Sequence, residues 1–315
     1  MLRLIKNETG KIFAKKSSWI YMLILFAVVL TVAIIQQSFF EKPDENWRAE
    51  LEHEIATLEK QLETASPEDQ EWILYHFKRN KGYLEENVNP NARSNWHFMN
   101  NTVYVIMGTM VTLFAAIVAG ASVSSEYDAG TIKQLLIRPH YRWQVLLSKY
   151  ISVLIYSIGL LAVLLVIGFI IGTVFFGAGD FNEKFFEESL EGRKLVSAGE
   201  QMLWKVLYYL PGLVIIVTIA FMLSTLFKSQ SLAVGVSIFV LFISSTIGGA
   251  LIMLAEKFEW VKFLIFPHLD LTVYVFQDKI LQDVTLPMSL MILAVYYVIF
   301  MAVTFTVFQK RDVAG

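Results

Sequence analysis

Several things are missing from this 315-residue chain, and each absence narrows what it can be. It contains no cysteine, so neither a disulfide framework nor a thiolate metal site is available. Charge is scarce: Asp, Glu, Lys and Arg supply 17% of the residues while hydrophobic types supply 56%, with a mean hydropathy of +0.54. Soluble domains carry about 25% charged residues. That imbalance argues against a soluble enzyme, a disordered chain or a nucleic-acid binder. No Gly-x-x-x-x-Gly-Lys-[Ser/Thr] phosphate loop occurs, since Thr9-Gly10-Lys11 lacks the upstream glycine and a preceding strand. Gly-x-Ser-x-Gly and His-Glu-x-x-His are absent as well. No histidine lies four residues from another strong ligand on a span, so no metal site and no catalytic residue is assigned.

What is present is a set of long apolar runs. A bilayer core about 30 Å thick requires roughly 20 apolar helical residues. Six segments meet this: 18–40, 102–125, 150–176, 206–227, 231–254 and 288–308, none containing Lys, Arg, Asp or Glu. The fold class expected is therefore an all-α polytopic membrane protein with six transmembrane helices. If the N-terminus is inside, the inner pieces hold 12 Lys and Arg in 51 residues and the outer pieces 14 in 123. The positive-inside rule then selects N-in, C-in. The first 17 residues do not read as a secretory signal, because the apolar run after them is too long and has no small-residue cleavage site.

The pieces between the spans carry their own patterns. At about 100° per residue, Leu2, Ile5, Thr9, Ile12 and Phe13 share one side of an N-terminal helix, and Arg3, Glu8, Lys11 and Lys15 the other. This suits an interfacial helix on an anionic leaflet, or else a plain basic anchor. Residues 41–101 form the largest outer piece. Leu51, Ile55, Leu58 and Leu62 are spaced as in a coiled coil, Ser66-Pro67-Glu68-Asp69 is a helix start, and a second stripe runs through Leu74, Phe77 and Leu84. An extracytoplasmic antiparallel helical hairpin is predicted, serving as substrate sensor, partner-binding arm or spacer. Loop 177–205 reads as a surface helix, and 255–287 as short re-entrant helices broken at Pro267. Gly159, Gly168 and Gly172 in the third span suit close helix packing.

The inner loop 126–149 is the informative segment. It runs Glu126-Tyr127-Asp128-Ala129-Gly130-Thr131-Ile132-Lys133-Gln134-Leu135-Leu136-Ile137-Arg138-Pro139, then Tyr141-Arg142 and Ser148-Lys149. An acidic residue, Gly-Thr-aliphatic, a Leu pair, a Pro, an Arg and a closing Lys in this order resemble the loop after the second span of ABC-2 type permeases. The resemblance implies the membrane subunit of an ATP-driven bacterial exporter in the cell membrane. Two permease copies, identical or paralogous, would pair with two separate ABC ATPase subunits that carry ATP and Mg. This chain would bind no cofactor and no nucleic acid.

In that family the loop is a coupling helix. Carried over, Glu126, Gly130, Thr131, Ile132, Leu135, Leu136, Pro139, Arg142 and Lys149 would form the ATPase-coupling element. Ile132, Leu135 and Leu136 would be its apolar docking face, and Arg138, Arg142 and Lys149 its basic contacts. An amphipathic loop resting on lipid is the other reading. The 61-residue outer piece departs from the family's usual short first loop. The cargo favoured is lipophilic or peptide-like. A membrane scaffold or sensor that uses the hairpin without transport, and an intramembrane enzyme or channel, stand as alternatives.

Overall fold

The computed structural model describes residues 1–39, 46–132, 140–189, 192–255, 257–281 and 283–311. Its frame is helical. Helix α1 (Leu2–Ala14) is followed without a gap wider than Lys15 by α2 (Lys16–Phe39). Two helices outside the long-helix bundle follow, α3 (Trp47–Thr64) and α4 (Pro67–Glu85). The long helices α5 (Asn95–Asp128), α6 (Arg142–Phe176), α7 (Ala198–Leu226), α8 (Gln230–Ala255) and α9 (Leu286–Lys310) complete the order. Five of these, α2, α5, α6, α7 and α9, are long and apolar enough to cross a membrane. Helix α8 has 26 residues.

The outward faces agree with a lipid setting. Trp19, Leu23 and Ile34 on α2, and Met291, Val295 and Val298 on α9, are exposed, more apolar surface than a soluble monomer leaves uncovered. Inside, the helices are joined by hydroxyl hydrogen bonds that lipid cannot replace. Tyr156 donates to the Ser18 carbonyl at 3.0 Å, Tyr150 pairs with Thr218 at 2.8 Å, and Tyr209 with Thr112 at 2.8 Å. A Cβ on Gly168 would lie 2.5 Å from Val103, and one on Gly172 3.1 Å from the Asn95 backbone. These two glycines let α5 and α6 touch. Gly159, grouped with them on sequence, meets nothing within 4 Å. Helix α5 also departs from regular α geometry in two π turns, Met99–Val103 and Met107–Val111.

Helices α3 and α4 pack together as an antiparallel hairpin. Ser66 Oγ accepts from the Asp69 amide at 3.3 Å and so starts α4. Leu51, Ile55, Leu58 and Leu62 are the less exposed stripe of α3. The stripe of α4 is corrected by one residue: Ile73, Phe77, Asn80 and Leu84 turn inward, while Leu74 is exposed. The polar Asn80 disguises this seam. It is buried and donates to Glu54 Oε2 at 2.8 Å, which pins the register as a polar seam residue does in coiled coils.

Loop 177–205 is not a surface helix. Strand β1 (Lys184–Ser189) pairs antiparallel with β2 (Gly192–Ser197), and α7 starts at Ala198. The register sets Glu187 opposite Lys194 and Glu188 opposite Arg193, and opposite charges facing across strands stabilise a ribbon. Arg193 sits 4.5 Å from the Tyr83 ring and 4.4 Å from that of Phe186, tying the ribbon to α4. In 255–287 the re-entrant helices reduce to three 3-10 turns, Glu259–Phe263, Phe266–His268 and Leu271–Val275. A short pair, β3 (Lys279–Leu281) with β4 (Val284–Thr285), leads into α9. Pro267 begins a turn there rather than ending a helix.

Candidate functional site: a charge ring where five helices meet

Two lysines mark where sequence-drawn spans began too late. Lys149 and Lys205 each immediately precede a predicted span, yet α6 starts at Arg142 and α7 at Ala198. Both lysines are buried, 4% and 1% exposed. A buried ammonium requires partners, and each has them.

Lys149 is the centre of an alternating ring. Its Nζ lies 2.7 Å from Glu8 Oε2 and 2.5 Å from Glu126 Oε1. Lys11 closes the ring, 2.5 Å from Glu8 Oε1 and 3.8 Å from Glu126 Oε1. Two carboxylates and two ammoniums alternate, so each charge has neighbours of opposite sign; Lys11 is 42% exposed, and the Lys15 ammonium acts electrostatically on all four. Burial by itself raises the Glu8 carboxyl. The charges and hydrogen bonds of Lys149 and Lys11 outweigh it and hold Glu8 below the ordinary carboxylate value.

This ring corrects the reading of α1. Leu4, Ile5, Glu8, Thr9, Ile12 and Phe13 form its inward face, and Leu2 is 83% exposed. Glu8, placed by periodicity on the polar side, is inward because α6 supplies a cation there. Thr9 Oγ1 donates to Ser152 Oγ at 3.0 Å, and Ser152 Oγ donates to the Ile5 carbonyl at 3.1 Å. The helix is docked on α6 along its length. A helical wheel sees only one helix, so it cannot anticipate a buried charge whose partner is 141 residues away.

The remaining sequence-selected residues separate into three groups. Glu126 ends α5 inside the ring. Gly130 has φ +67° and its N–H bonds the Tyr127 carbonyl at 3.1 Å, a left-handed turn that favours glycine. Thr131 Oγ1 donates to the Glu126 carbonyl at 3.4 Å. Ile132 is 4% exposed within the chain's own core, so it lies inside this chain and not on an open docking face. Arg142 Nη1 donates to the carbonyls of Gln309 and Arg311 at 3.3 and 3.1 Å, and Lys149 is consumed by the ring. Lys149 is therefore not a free basic contact, whereas Arg142 remains exposed. Leu135, Leu136, Arg138 and Pro139 lie outside the described residues.

Arg311, which sequence reading did not select, extends the junction. Its guanidinium donates to the Thr225 and Leu226 carbonyls at 2.6 and 3.2 Å and lies 4.8 Å from the Tyr127 ring. It thereby caps the last carbonyls of α7. Helices α1, α5, α6, α7 and α9 are thus bound at one end by charged groups. The two stems of the 126–149 loop rise from that junction. Beside it lies a cavity of about 530 Å³ lined by Glu8, Lys11, Glu126 and Lys149. Among the described residues no group of three or more His, Asp or Glu is placed to hold a metal.

At the opposite end of the bundle Lys205 Nζ lies 3.4 Å from Glu187 Oε1 on β1 and donates to the Asn100 carbonyl at 3.3 Å. The rings of Tyr104 and Phe276 stand 4.9 and 5.0 Å away, a cation–π arrangement. Burial raises the Glu187 carboxyl, and the nearby Lys205 charge pulls it part of the way back.

Long apolar helices, hydroxyl pairs between them and buried lysines that meet carboxylates define an all-α multi-pass membrane protein. The chain belongs to the family described as protein of unknown function DUF2705, whose model matches residues 70–314. It is 31% identical over the full length of both chains to the uncharacterized protein YhcI of Bacillus subtilis (strain 168). It is also 32% identical, over 66% of this chain and 79% of the relative, to the uncharacterized membrane protein YdbK of the same organism.

Proposed function

We propose that this chain is the membrane subunit of an ATP-driven bacterial exporter. In this reading it crosses the cell membrane six times with both termini inside, α8 being the fifth crossing, and places the α3–α4 hairpin outside. The loop 126–149 docks on a separate ATPase, which carries the ATP and Mg. Two ATPase subunits and a second permease copy complete the assembly.

The observation that carries the reading is the brace beneath that loop. Glu126 and Lys149, one on each stem, lie 2.5 Å apart and are locked to α1 through Glu8. A loop that transmits force from a partner must rest on a base that does not yield, and buried charge-assisted contacts are stiff and directional. The base is shared by five helices, so a displacement of the loop reaches the whole bundle. The excess of Lys and Arg in the pieces on that side supports the orientation.

The test is retention of an ATPase by the affinity-purified chain, with nucleotide hydrolysis measured in the same complex. Leu135→Asp with Leu136→Asp introduces charge into the proposed apolar contact and is expected to abolish retention while the chain still inserts. Leu160→Ala with Leu161→Ala, two buried positions of α6, is expected to loosen packing but keep the ATPase. A wild-type chain that retains no ATPase overturns the exporter reading in favour of a scaffold or sensor.

A further inference from the structure

A second cavity, of about 450 Å³, lies between α5, α7, α8 and the turns of 259–275. Its size falls within the range of small-molecule sites. Its α5 wall contains the π turn Met107–Val111, an irregularity that recurs at functional positions. Gly108 lies on this wall, and a Cβ there would meet nothing within 4 Å. On the other side Gly212 lets the Leu269 carbonyl approach so closely that a Cβ would lie 2.1 Å from it. The backbone is thus held open on one wall and drawn tight on the other.

The chemistry of the lining is selective. Every hydroxyl that lines the cavity already has a protein partner. Tyr104 pairs with Thr272 at 2.8 Å, Tyr209 with Thr112 at 2.8 Å, Thr109 donates to the Val105 carbonyl at 2.8 Å and Ser244 to that of Leu241 at 2.7 Å. These groups therefore offer a ligand ring faces and methyl groups more than hydrogen bonds. Among the described lining residues there is no Lys, Arg or His, and one carboxylate, Asp270. Asp270 Oδ1 accepts from the Thr272 amide at 3.0 Å and from its hydroxyl, which caps a 3-10 turn and fixes the carboxylate at the wall. Lys205, behind Tyr104, does not line the space and is paired with Glu187.

The geometry points to a binding site for a lipophilic organic cation. Aromatic faces and apolar walls hold the body of such a molecule, Tyr104 and Tyr209 attract its charge, and Asp270 is the counter-ion. A neutral lipid gains nothing from that carboxylate, and a sugar, which needs many donors and acceptors, finds the protons of Thr109, Ser244 and Thr272 already committed. The site rests on the exporter reading only for the direction in which its ligand travels. Binding itself needs no ATPase.

The experiment is equilibrium dialysis of tetraphenylphosphonium against the purified full chain in detergent, without ATPase. Asp270→Asn keeps an oxygen to cap Thr272 but removes the charge. Asp270 is itself exposed at the wall, so the change is expected to weaken tetraphenylphosphonium several-fold, the upper end for an exposed ion pair, and to leave neutral triphenylphosphine oxide unchanged. Gly108→Phe fills the space and is expected to weaken both compounds. Thermal melts of the variants confirm folding, and if Asp270→Asn does not fold, Gly108→Phe with the cation-to-neutral comparison decides. Binding of tetraphenylphosphonium that is equal in wild type and both variants, or absent in wild type, overturns the site. Charge-dependent binding by a chain that retains no ATPase keeps the site and removes only the exporter reading.

Discussion

The ammonium of Lys149 on α6 meets the carboxylate of Glu8 on α1 at 2.7 Å, with both side chains less than one-tenth exposed. Removing one member strands the other. Lys149→Met leaves Glu8 and Glu126 facing each other with only the less buried Lys11 and Lys15 nearby, a loss of about 3–5 kcal/mol by the behaviour of broken buried pairs. It should appear as a large drop in melting temperature. Lys149→Met combined with Glu8→Gln should recover part of that loss. A double variant as unstable as the single one would show that the ion pair is not the cause.

The same carboxylate predicts a pH response. Glu8 in the folded chain lies below its ordinary value of 4.5. Its contribution to docking is therefore complete above about pH 4.5 and is lost as pH falls through the lower native value. Hydrogen exchange of α1 amides, corrected for intrinsic rates, should show α1 opening on acidification. Glu8→Gln should already be open at neutral pH and respond less to acid.

Proximity of α1 and α6 can be read covalently. Thr9 and Ser152 hydroxyls are 3.0 Å apart, and the natural sequence contains no cysteine to compete. Thr9→Cys with Ser152→Cys should cross-link on mild oxidation, since side-chain tips this close suit disulfide geometry. Arg3→Cys with Ser152→Cys should not. Equal cross-linking of the two pairs would mean that α1 is not seated as described.

Arg193, seated on Phe186 of its own ribbon, joins the ribbon to the hairpin through the Tyr83 face and a bond from its Nη1 to the Arg79 carbonyl at 3.1 Å. Arg193→Ala should release α4, with limited proteolysis of residues 46–86 several-fold faster. The Thr9–Ser152 cross-link should be unaffected. Arg193→Lys should restore only part of the protection, because an ammonium does not stack on Tyr83 and Phe186 as a guanidinium does.

The proposed topology is open to labelling. Cysteines at Glu63 and Lys184 should react with an impermeant thiol reagent on intact cells, whereas one at Lys6 should not. Labelling of Lys6→Cys from outside reverses the orientation.

Much of the fold was readable because lipid imposes one strong rule, a long apolar helix for each crossing. The heptad of α3 and the Ser66 cap were equally explicit, being local. The misreadings share a cause. Lys149 and Lys205 limit the apolar runs in the sequence, although both belong to the helices and are buried beside carboxylates of other elements. The periodicity of its own helix puts Glu8 on the polar side, and Asn80 conceals the true seam of α4. The ribbon at 184–197 depends on charges that meet only when the strands pair. In the candidate site, Glu126 and Lys149 stood out in the sequence, but their pairing with each other and with Glu8 did not.

The charge ring also sets an order of events during synthesis. Helix α1 leaves the ribosome before α6, and the Lys149 cation that meets Glu8 follows 141 residues later, near the start of the third long helix. Until α6 has been delivered to the bilayer, α1 lacks its seat and waits with Lys11 as the only ring cation beside Glu8. Closure of the ring is therefore a late step of biogenesis, and a chain truncated before Lys149 is expected to leave its first helix unanchored.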